Sequence, residues 1–80
     1  MINVIPTYSS QAGRFLNKLT DKQVSRITTA INKLPAGDVK KLKGYENIYR
    51  LRVGDVRVLF EKTNDSVYII DINNRGDVYK

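Results

Sequence analysis

The sequence contains no cysteine and no histidine. The absence of cysteine excludes a disulfide framework, a thiolate nucleophile and a cysteine-ligated zinc site. The absence of histidine excludes a histidine-ligated metal and leaves acid–base chemistry to arginine, lysine, tyrosine or a carboxylate. We therefore expect neither a metal nor a cofactor. A small domain without disulfides also suits the reducing cytoplasm.

Proline and long apolar runs are also scarce. Two prolines in 80 residues do not indicate disorder, and no apolar run approaches the roughly 20 residues that a transmembrane helix needs. The first residues lack both the basic segment and the apolar core of a signal peptide. We expect a single domain over residues 1–80, located in the cytoplasm and not associated with a membrane.

Positive charge exceeds negative charge in this chain. Fourteen lysines and arginines stand against eight aspartates and glutamates, which gives a formal net charge of +6. This imbalance favours an acidic partner, either a nucleic acid or an acidic protein, and charge alone does not choose between them.

Residues 49–60 form two alternating runs joined by Gly54-Asp55. A two-residue loop with glycine first is typical of a type II′ hairpin turn, which places Arg52 directly opposite Arg57. Because side chains alternate across a strand, the hairpin has two different faces. The apolar face is predicted to contain Tyr49, Leu51, Val53, Val56, Val58 and Phe60. The other face is predicted to contain Arg50, Arg52, Arg57, Leu59 and Glu61.

The arginines of the second face conflict with one another. Two cations directly opposite each other destabilise a strand pair, and Arg50 lies beside Arg52 and Arg57. An anionic partner would remove the conflict, so we interpret this face as an anion-binding site. The alternative is an ordinary solvated sheet face on which Glu61 neutralises part of the cluster.

The rest of the chain predicts two helices and further strands. Residues 2–8 resemble a short strand, and apolar residues at helical spacing predict helices after Ser9-Ser10 and after Thr20-Asp21. Residues 35–38 end the second helix, and residues 67–72 predict a buried strand. The expected fold is α+β with the order β-α-α-β-β-β, in which an N-terminal strand and a helical hairpin pack on a twisted antiparallel sheet.

Two further groups of cations stand outside the hairpin. The second helix is decorated by Lys22, Arg26 and Lys33, which we interpret as a solubilising face. The basic connection before the hairpin contains Lys40, Lys41, Lys43 and Tyr45. These lysines can contact an RNA phosphate backbone and the tyrosine can stack on a base, but a solvated connection explains them equally well.

Three segments together resemble the RelE/ParE superfamily of bacterial toxin–antitoxin toxins. They are Phe15-Leu16-Asn17-Lys18-Leu19, the stretch from Lys41-Leu42-Lys43-Gly44 through the hairpin, and Arg75-Gly76-Asp77-Val78-Tyr79. The resemblance covers nearly the whole chain and adds Arg75 and Tyr79 to the candidate site. Asn73 and Asn74 stand where many relatives have histidine or lysine, which removes one acid–base group.

In the RelE branch, the resemblance implies an endoribonuclease that cleaves mRNA, often in the ribosomal A site. The 2′-oxygen would attack the adjacent phosphorus while Arg52 and Arg57 stabilise the developing charge. Arg50 would position the RNA backbone or help deprotonate the 2′-hydroxyl. Arg75 would contact the phosphate or stabilise the leaving 5′-oxygen, and Tyr79 is a candidate for proton transfer.

The implied partners are mRNA, the ribosome and a small, acidic, partly disordered antitoxin. Two alternatives stay open on the same scaffold. One is a ParE-like inhibitor that binds DNA gyrase and has no nuclease activity, and the other is an inactive remnant that only binds the antitoxin.

Overall fold

The computed structural model describes residues 5–74, which form two helices and a five-stranded sheet. The elements follow in the order β1 (Thr7–Tyr8), α1 (Ser10–Asn17), α2 (Asp21–Asn32), β2 (Asp38–Lys41), β3 (Ile48–Val53), β4 (Val56–Lys62) and β5 (Val67–Asn74). The strand order in the sheet is β1-β5-β4-β3-β2. The predicted α+β class is confirmed. Within this part of the chain, no helix is both long enough and apolar enough to cross a membrane.

The sheet differs from the prediction in being mixed. β1 pairs with β5 in parallel, whereas β2, β3, β4 and β5 pair with their neighbours in antiparallel fashion. The two helices connect β1, at one edge of the sheet, to β2 at the opposite edge. The antiparallel strands β2 to β5 then lead back to β1, and β5 pairs with β1 in parallel, which requires such a long connection.

Both helices begin at the predicted capping residues. The Ser9 hydroxyl accepts a hydrogen bond from the Ala12 amide at 3.0 Å. Thr20 and Gln23 form a reciprocal capping box, in which each side chain accepts from the other residue's backbone amide. These bonds satisfy amide groups that have no partner inside the helix.

The central hairpin has the predicted register. Arg52 lies opposite Arg57 in the pairing of β3 with β4. Gly54 has φ of 59°, and no non-glycine residue in the described part of the chain has a positive φ. Only the first turn residue is therefore left-handed, which matches a type II′ turn and not a type I′ turn.

The core lies between the helices and the apolar face of the sheet. Its buried members are Ala12, Ile27, Ile31, Leu51, Val58, Phe60, Val67, Ile69 and Ile72. Tyr49 stacks on Phe60 with 5.5 Å between ring centroids, which confirms that Tyr49 belongs to the packed face. The opposite face of the hairpin therefore points away from the helices.

Part of the basic connection that the sequence analysis described before the hairpin forms a strand. Asp38–Lys41 forms the edge strand β2, which pairs with β3 and extends the sheet beyond the hairpin. Charged residues dominate this strand, and charges at a sheet edge discourage pairing with other chains. The short length and the charged pattern explain why hydrophobic periodicity did not reveal it.

A β-bulge interrupts the pairing of β4 with β5. Leu59 pairs with Asp71 and Phe60 pairs with Ile69, so Ile70 is an extra residue. The backbone carbonyls of Ile69 and Ile70 accept hydrogen bonds from the Ser9 amide at 2.9 Å and the Ser9 hydroxyl at 2.7 Å. The bulge therefore binds β5 to Ser9, the N-cap residue of α1.

Replacing glycine by alanine should change stability in opposite directions in the β3–β4 turn and in α1. Gly54→Ala should destabilise the fold by about 1–3 kcal/mol, because φ is positive there. A Cβ at Gly54 would also lie 2.6 Å from Nη2 of Arg26. Gly13→Ala, inside α1 with no neighbour within 4 Å of the new Cβ, should stabilise by about 0.5–1 kcal/mol. Urea titration measures the free energy of unfolding of both variants. Equal changes of the same sign would contradict the turn assignment.

Alkaline pH should weaken the fold through Tyr8. Burial raises the pKa of the Tyr8 phenol above its ordinary value of 10.0. The unfolded chain therefore loses this proton first, and the free energy of unfolding falls as pH rises above about 10. Tyr8→Phe should flatten that part of the profile, as measured by denaturant titrations between pH 8 and 11. Tyr45→Phe, on an exposed loop tyrosine, controls for the loss of a hydroxyl group.

Candidate functional site

Two rows of side chains cross the four antiparallel strands on the face that points away from the helices. The row nearer the turn consists of Asp38, Arg52, Arg57 and Asn73. The second row consists of Lys40, Arg50, Leu59 and Asp71. We call these eight residues the arginine face. The predicted placement of the three arginines on one side of the sheet is confirmed.

The three arginines differ from one another in exposure. Arg52 is exposed, but Arg50 and Arg57 retain only 9% and 7% of their accessible surface. The alternative of an ordinary solvated sheet face therefore does not describe two of the three arginines. A buried guanidinium loses hydration, so it needs nearby acceptors, and it also interacts more strongly with any anion that reaches it.

Asp38 supplies an acceptor for Arg50. Nη1 of Arg50 donates to the Asp38 backbone oxygen at 3.2 Å and approaches Oδ1 of the same residue at 3.4 Å. Asp38 is also the cross-strand neighbour of Arg52. Glu61, the carboxylate that the sequence offered for this role, lies opposite Ile48 at the far end of the hairpin. Asp38 was not predicted as a partner because residues 35–38 were interpreted only as the end of the second helix.

A second carboxylate closes the arginine face at β5. Asp71 accepts from Nδ2 of Asn73 at 2.7 Å and from Nε2 of Gln11 at 3.1 Å. Oδ1 of Asn73 is buried, and no group in residues 5–74 donates a hydrogen bond to it. Asn73 is also the cross-strand neighbour of Arg57. This cluster was not predicted because the bulge at Ile70 was not predicted. The bulge changes which residues of β5 share a face.

The four predicted RNA-contacting residues do not lie on one surface. Lys40 faces Arg50 on the arginine face, whereas Lys41 faces Tyr49 and therefore lies on the helix side of the edge strand. Lys43 and Tyr45 lie in the connection to β3, where Tyr45 is 61% exposed. Of the four, Lys40 lies on the same face as the arginines, and RNA contact by all four stays a prediction.

Two further predicted site residues, Arg75 and Tyr79, lie outside the described residues. The described part of the site therefore consists of the exposed guanidinium of Arg52, which lies between the buried Arg57 on β4 and the carboxylate of Asp38 on β2. Planar guanidinium groups match the geometry of phosphate oxygens, and donors held in place by a sheet need little reorganisation when an anion binds. This arrangement can bind and polarise a phosphate.

Neutralising Asp38 should show which carboxylate balances the arginines. Asp38→Asn should lower the free energy of unfolding by about 0.2–1 kcal/mol, because the Asp38 side chain is 59% exposed and solvent screens the pair. Glu61→Gln, which removes the same charge from the same face, should change stability less. Urea titrations at low and high salt make the comparison. An equal or larger loss in Glu61→Gln would contradict the assignment.

Comparison with known proteins gives matches in both sequence and structure. The family model described as "ParE toxin of type II toxin-antitoxin system, parDE" matches residues 5–79. Toxin RelE3 of Methanocaldococcus jannaschii is 40% identical over 42 residues, which are 52% of this chain and 48% of that protein. The match thus spans about half the length of this curated relative.

Solved toxin structures share the fold. The RelB-RelE antitoxin-toxin complex from Methanococcus jannaschii contains a chain with a TM-score of 0.76 and 25% identity, over 91% of this chain and 94% of that one. The RelE-RelB complex from Pyrococcus horikoshii OT3 gives a TM-score of 0.75 at 23% identity, over 96% of this chain and 100% of that one. The second likeness shows the fold alone. Since the family model spans nearly the whole sequence, this RelE-like chain belongs to the ParE toxin family of type II toxin–antitoxin systems, within the RelE/ParE superfamily.

Proposed function

We propose that this chain is the toxin of a type II toxin–antitoxin system and cleaves mRNA in the cytoplasm as a ribosome-dependent endoribonuclease. The observation that supports this proposal is the convergence of Arg50, Arg52 and Arg57 on the sheet face away from the helices. Clustering of like charges is unfavourable for folding, and a phosphate is the ligand that relieves it.

The proposed reaction is attack by the ribose 2′-oxygen on the adjacent phosphorus. A bond forms between these two atoms, the bond from phosphorus to the 5′-oxygen breaks, and one proton passes from the 2′-hydroxyl to the leaving oxygen. Negative charge accumulates on the two non-bridging oxygens during the reaction. Arg52 is exposed and donates to these oxygens, while Arg57 strengthens the field from its buried position across the strand pair.

Arg50 has a different role in this mechanism. Its contacts with Asp38 hold the guanidinium group at the second row, where it orients the RNA backbone together with Lys40. Lys41, Lys43 and Tyr45 would extend the RNA contact beyond the arginine face. From the family resemblance, Arg75 is assigned to the leaving oxygen and Tyr79 to proton transfer.

The proposed protein partner is an antitoxin. Similar folds occur in complexes of RelE with the antitoxin RelB, and this chain's net charge of +6 favours an acidic partner. We propose a small, acidic and partly disordered antitoxin that orders on this surface.

Gyrase inhibition is the second candidate function. The matching family model is described by ParE, and the burial of Arg50 and Arg57 reduces the guanidinium surface that RNA can contact. Primer extension on mRNA from a translating extract, run beside a gyrase supercoiling assay, separates the two functions. Cleavage with normal supercoiling supports the nuclease, the reverse supports the inhibitor, and neither effect supports an inactive remnant.

Arg52→Ala should abolish most of the cleavage without affecting the fold. Loss of one preorganised donor costs on the order of 100- to 1000-fold in rate. Because Arg52 is exposed and faces another arginine, stability should change by no more than about 0.5 kcal/mol. Single-turnover cleavage and thermal melts measure the two effects.

Arg14→Ala is the matched control, since it removes an exposed arginine from α1. It should leave the cleavage rate near that of the parent protein. Equal losses in both variants would show that general charge, and not the position of Arg52, governs activity. An unchanged rate in Arg52→Ala would contradict the nuclease mechanism.

A further inference from the structure

The β-bulge in β5 decides which face of the sheet Asp71 occupies. Ile69 and Ile72 both belong to the buried core, although in a regular strand residues three positions apart lie on opposite faces. The extra residue Ile70 allows both to reach the core, and it also sends Asp71 to the face of the arginines, opposite Leu59. Bulges are frequent beside active sites, where they re-aim a side chain.

Two neutral amide groups hold the Asp71 carboxylate in one orientation. Its Oδ1 accepts a hydrogen bond from Gln11 at 3.1 Å, and its Oδ2 accepts one from Asn73 at 2.7 Å. Within residues 5–74 this carboxylate forms no ion pair, and the side chain is only partly buried. An ionised carboxylate has about four lone-pair positions, so two bonds leave room for a hydroxyl group of a substrate.

The strand register places this carboxylate next to the two arginines of the proposed phosphate site. Leu59, the residue opposite Asp71, is two positions along β4 from Arg57, so Asp71 is the diagonal neighbour of Arg57. Diagonal neighbours on one face of a sheet are separated by about 7–8 Å. In a reactive complex the attacking oxygen lies roughly 3–3.5 Å from its target atom. A carboxylate in the adjoining row can therefore reach the 2′-hydroxyl group beside a phosphate bound by Arg52 and Arg57.

The other charged groups of the arginine face are poorly suited to remove a proton. Guanidinium groups stay protonated and have no acceptor atom. The carboxylate of Asp38 lies 3.4 Å from Nη1 of Arg50, on the edge strand, where it balances that cation. The chain contains no histidine. Asp71 is thus the carboxylate of the arginine face that is not paired with a cation among the described residues.

We propose that Asp71 is the general base of the cleavage reaction and accepts a hydrogen bond from the 2′-hydroxyl group next to the scissile phosphate. The carboxylate takes the hydroxyl proton while the 2′-oxygen bonds to phosphorus and the bond from phosphorus to the 5′-oxygen breaks. The leaving oxygen takes a proton from the solvent, directly or through Tyr79, and Asp71 returns its own proton to the solvent. The products are a 2′,3′-cyclic phosphate and a 5′-hydroxyl. This inference rests on the proposed nuclease function.

The first experiment measures single-turnover cleavage of mRNA on programmed ribosomes. Asp71→Asn keeps the shape of the side chain, and the amide of Asn73 can turn its oxygen towards the new donor, so thermal melts should show an intact fold. The cleavage rate should fall on the order of 100- to 10,000-fold. Glu61→Gln removes an exposed carboxylate from the same side of the sheet outside the arginine face, and its rate should remain near that of the parent protein.

The second experiment measures binding without reaction. An mRNA with a 2′-O-methyl group at the cleavage site has no proton to donate there, so its affinity on the same ribosomes reports binding alone. Asp71→Asn should bind this mRNA at least as tightly as the parent protein does, because the variant removes a negative charge near the phosphate. A purely structural role of Asp71 predicts weaker binding.

The third experiment distinguishes proton transfer from charge balance. Asp71→Ala leaves space for a small carboxylate from the buffer. Acetate should restore more cleavage than fluoroacetate, and fluoroacetate more than difluoroacetate, because these ions differ chiefly in basicity. A carboxylate that only balances Arg57 would be replaced equally well by all three.

Three results would overturn the assignment and leave the nuclease function in place. They are an unchanged rate in Asp71→Asn, a loss of 2′-O-methyl mRNA binding as large as its loss of rate, and equal rescue of Asp71→Ala by the three ions. If the parent protein cleaves no mRNA, the proposed function and this assignment both fail. The two kinds of failure are therefore distinguishable.

Discussion

The fold and the candidate site both depend on the two-residue turn at Gly54-Asp55. The turn fixes the register of β3 with β4, and a slip of one residue would send every side chain of a strand to the opposite face. In the observed register, Leu51 and Val58 pack beneath the helices while Arg52 and Arg57 face the other way. The burial of the apolar face therefore keeps the cations together. Hydrophobic packing provides the free energy that holds like charges in one row.

That row would be unfavourable without acceptors at its ends. Asp38 on the edge strand contacts Arg50, and Asp71 on β5 fixes the amide of Asn73 beside Arg57. The cations thus lie between two carboxylates that belong to the outer strands of the antiparallel region. The net charge of the row remains positive at its centre, where Arg52 is exposed. A site that favours an anion over water needs such an excess, and part of the stability of the sheet is lost to maintain it.

Local patterns predicted the parts of the structure that local physics controls. Alternation and turn chemistry gave the hairpin, and the capping residues Ser9 and Thr20 gave the starts of both helices. Three features escaped because they depend on contacts between distant segments. The edge strand β2 exists through pairing with β3, the bulge at Ile70 exists through pairing with β4, and the partner of Arg50 is known only once β2 is placed. Burial of Arg50 and Arg57 is likewise a property of the assembled sheet, since an alternating pattern says which face a residue takes but not how covered that face is.

The bulge at Ile70 also has a mechanical consequence. Its carbonyl and that of Ile69 hold the residue that caps α1, and Gln11 in the first turn of the same helix holds the carboxylate of Asp71. The helix and the end of the arginine face are therefore joined by three hydrogen bonds at one irregular point of the sheet. A shift of α1 along its axis would pull on Asp71 and, through it, on Asn73. The start of α1 is thus joined to the site by direct hydrogen bonds, although about sixty residues of chain separate the two.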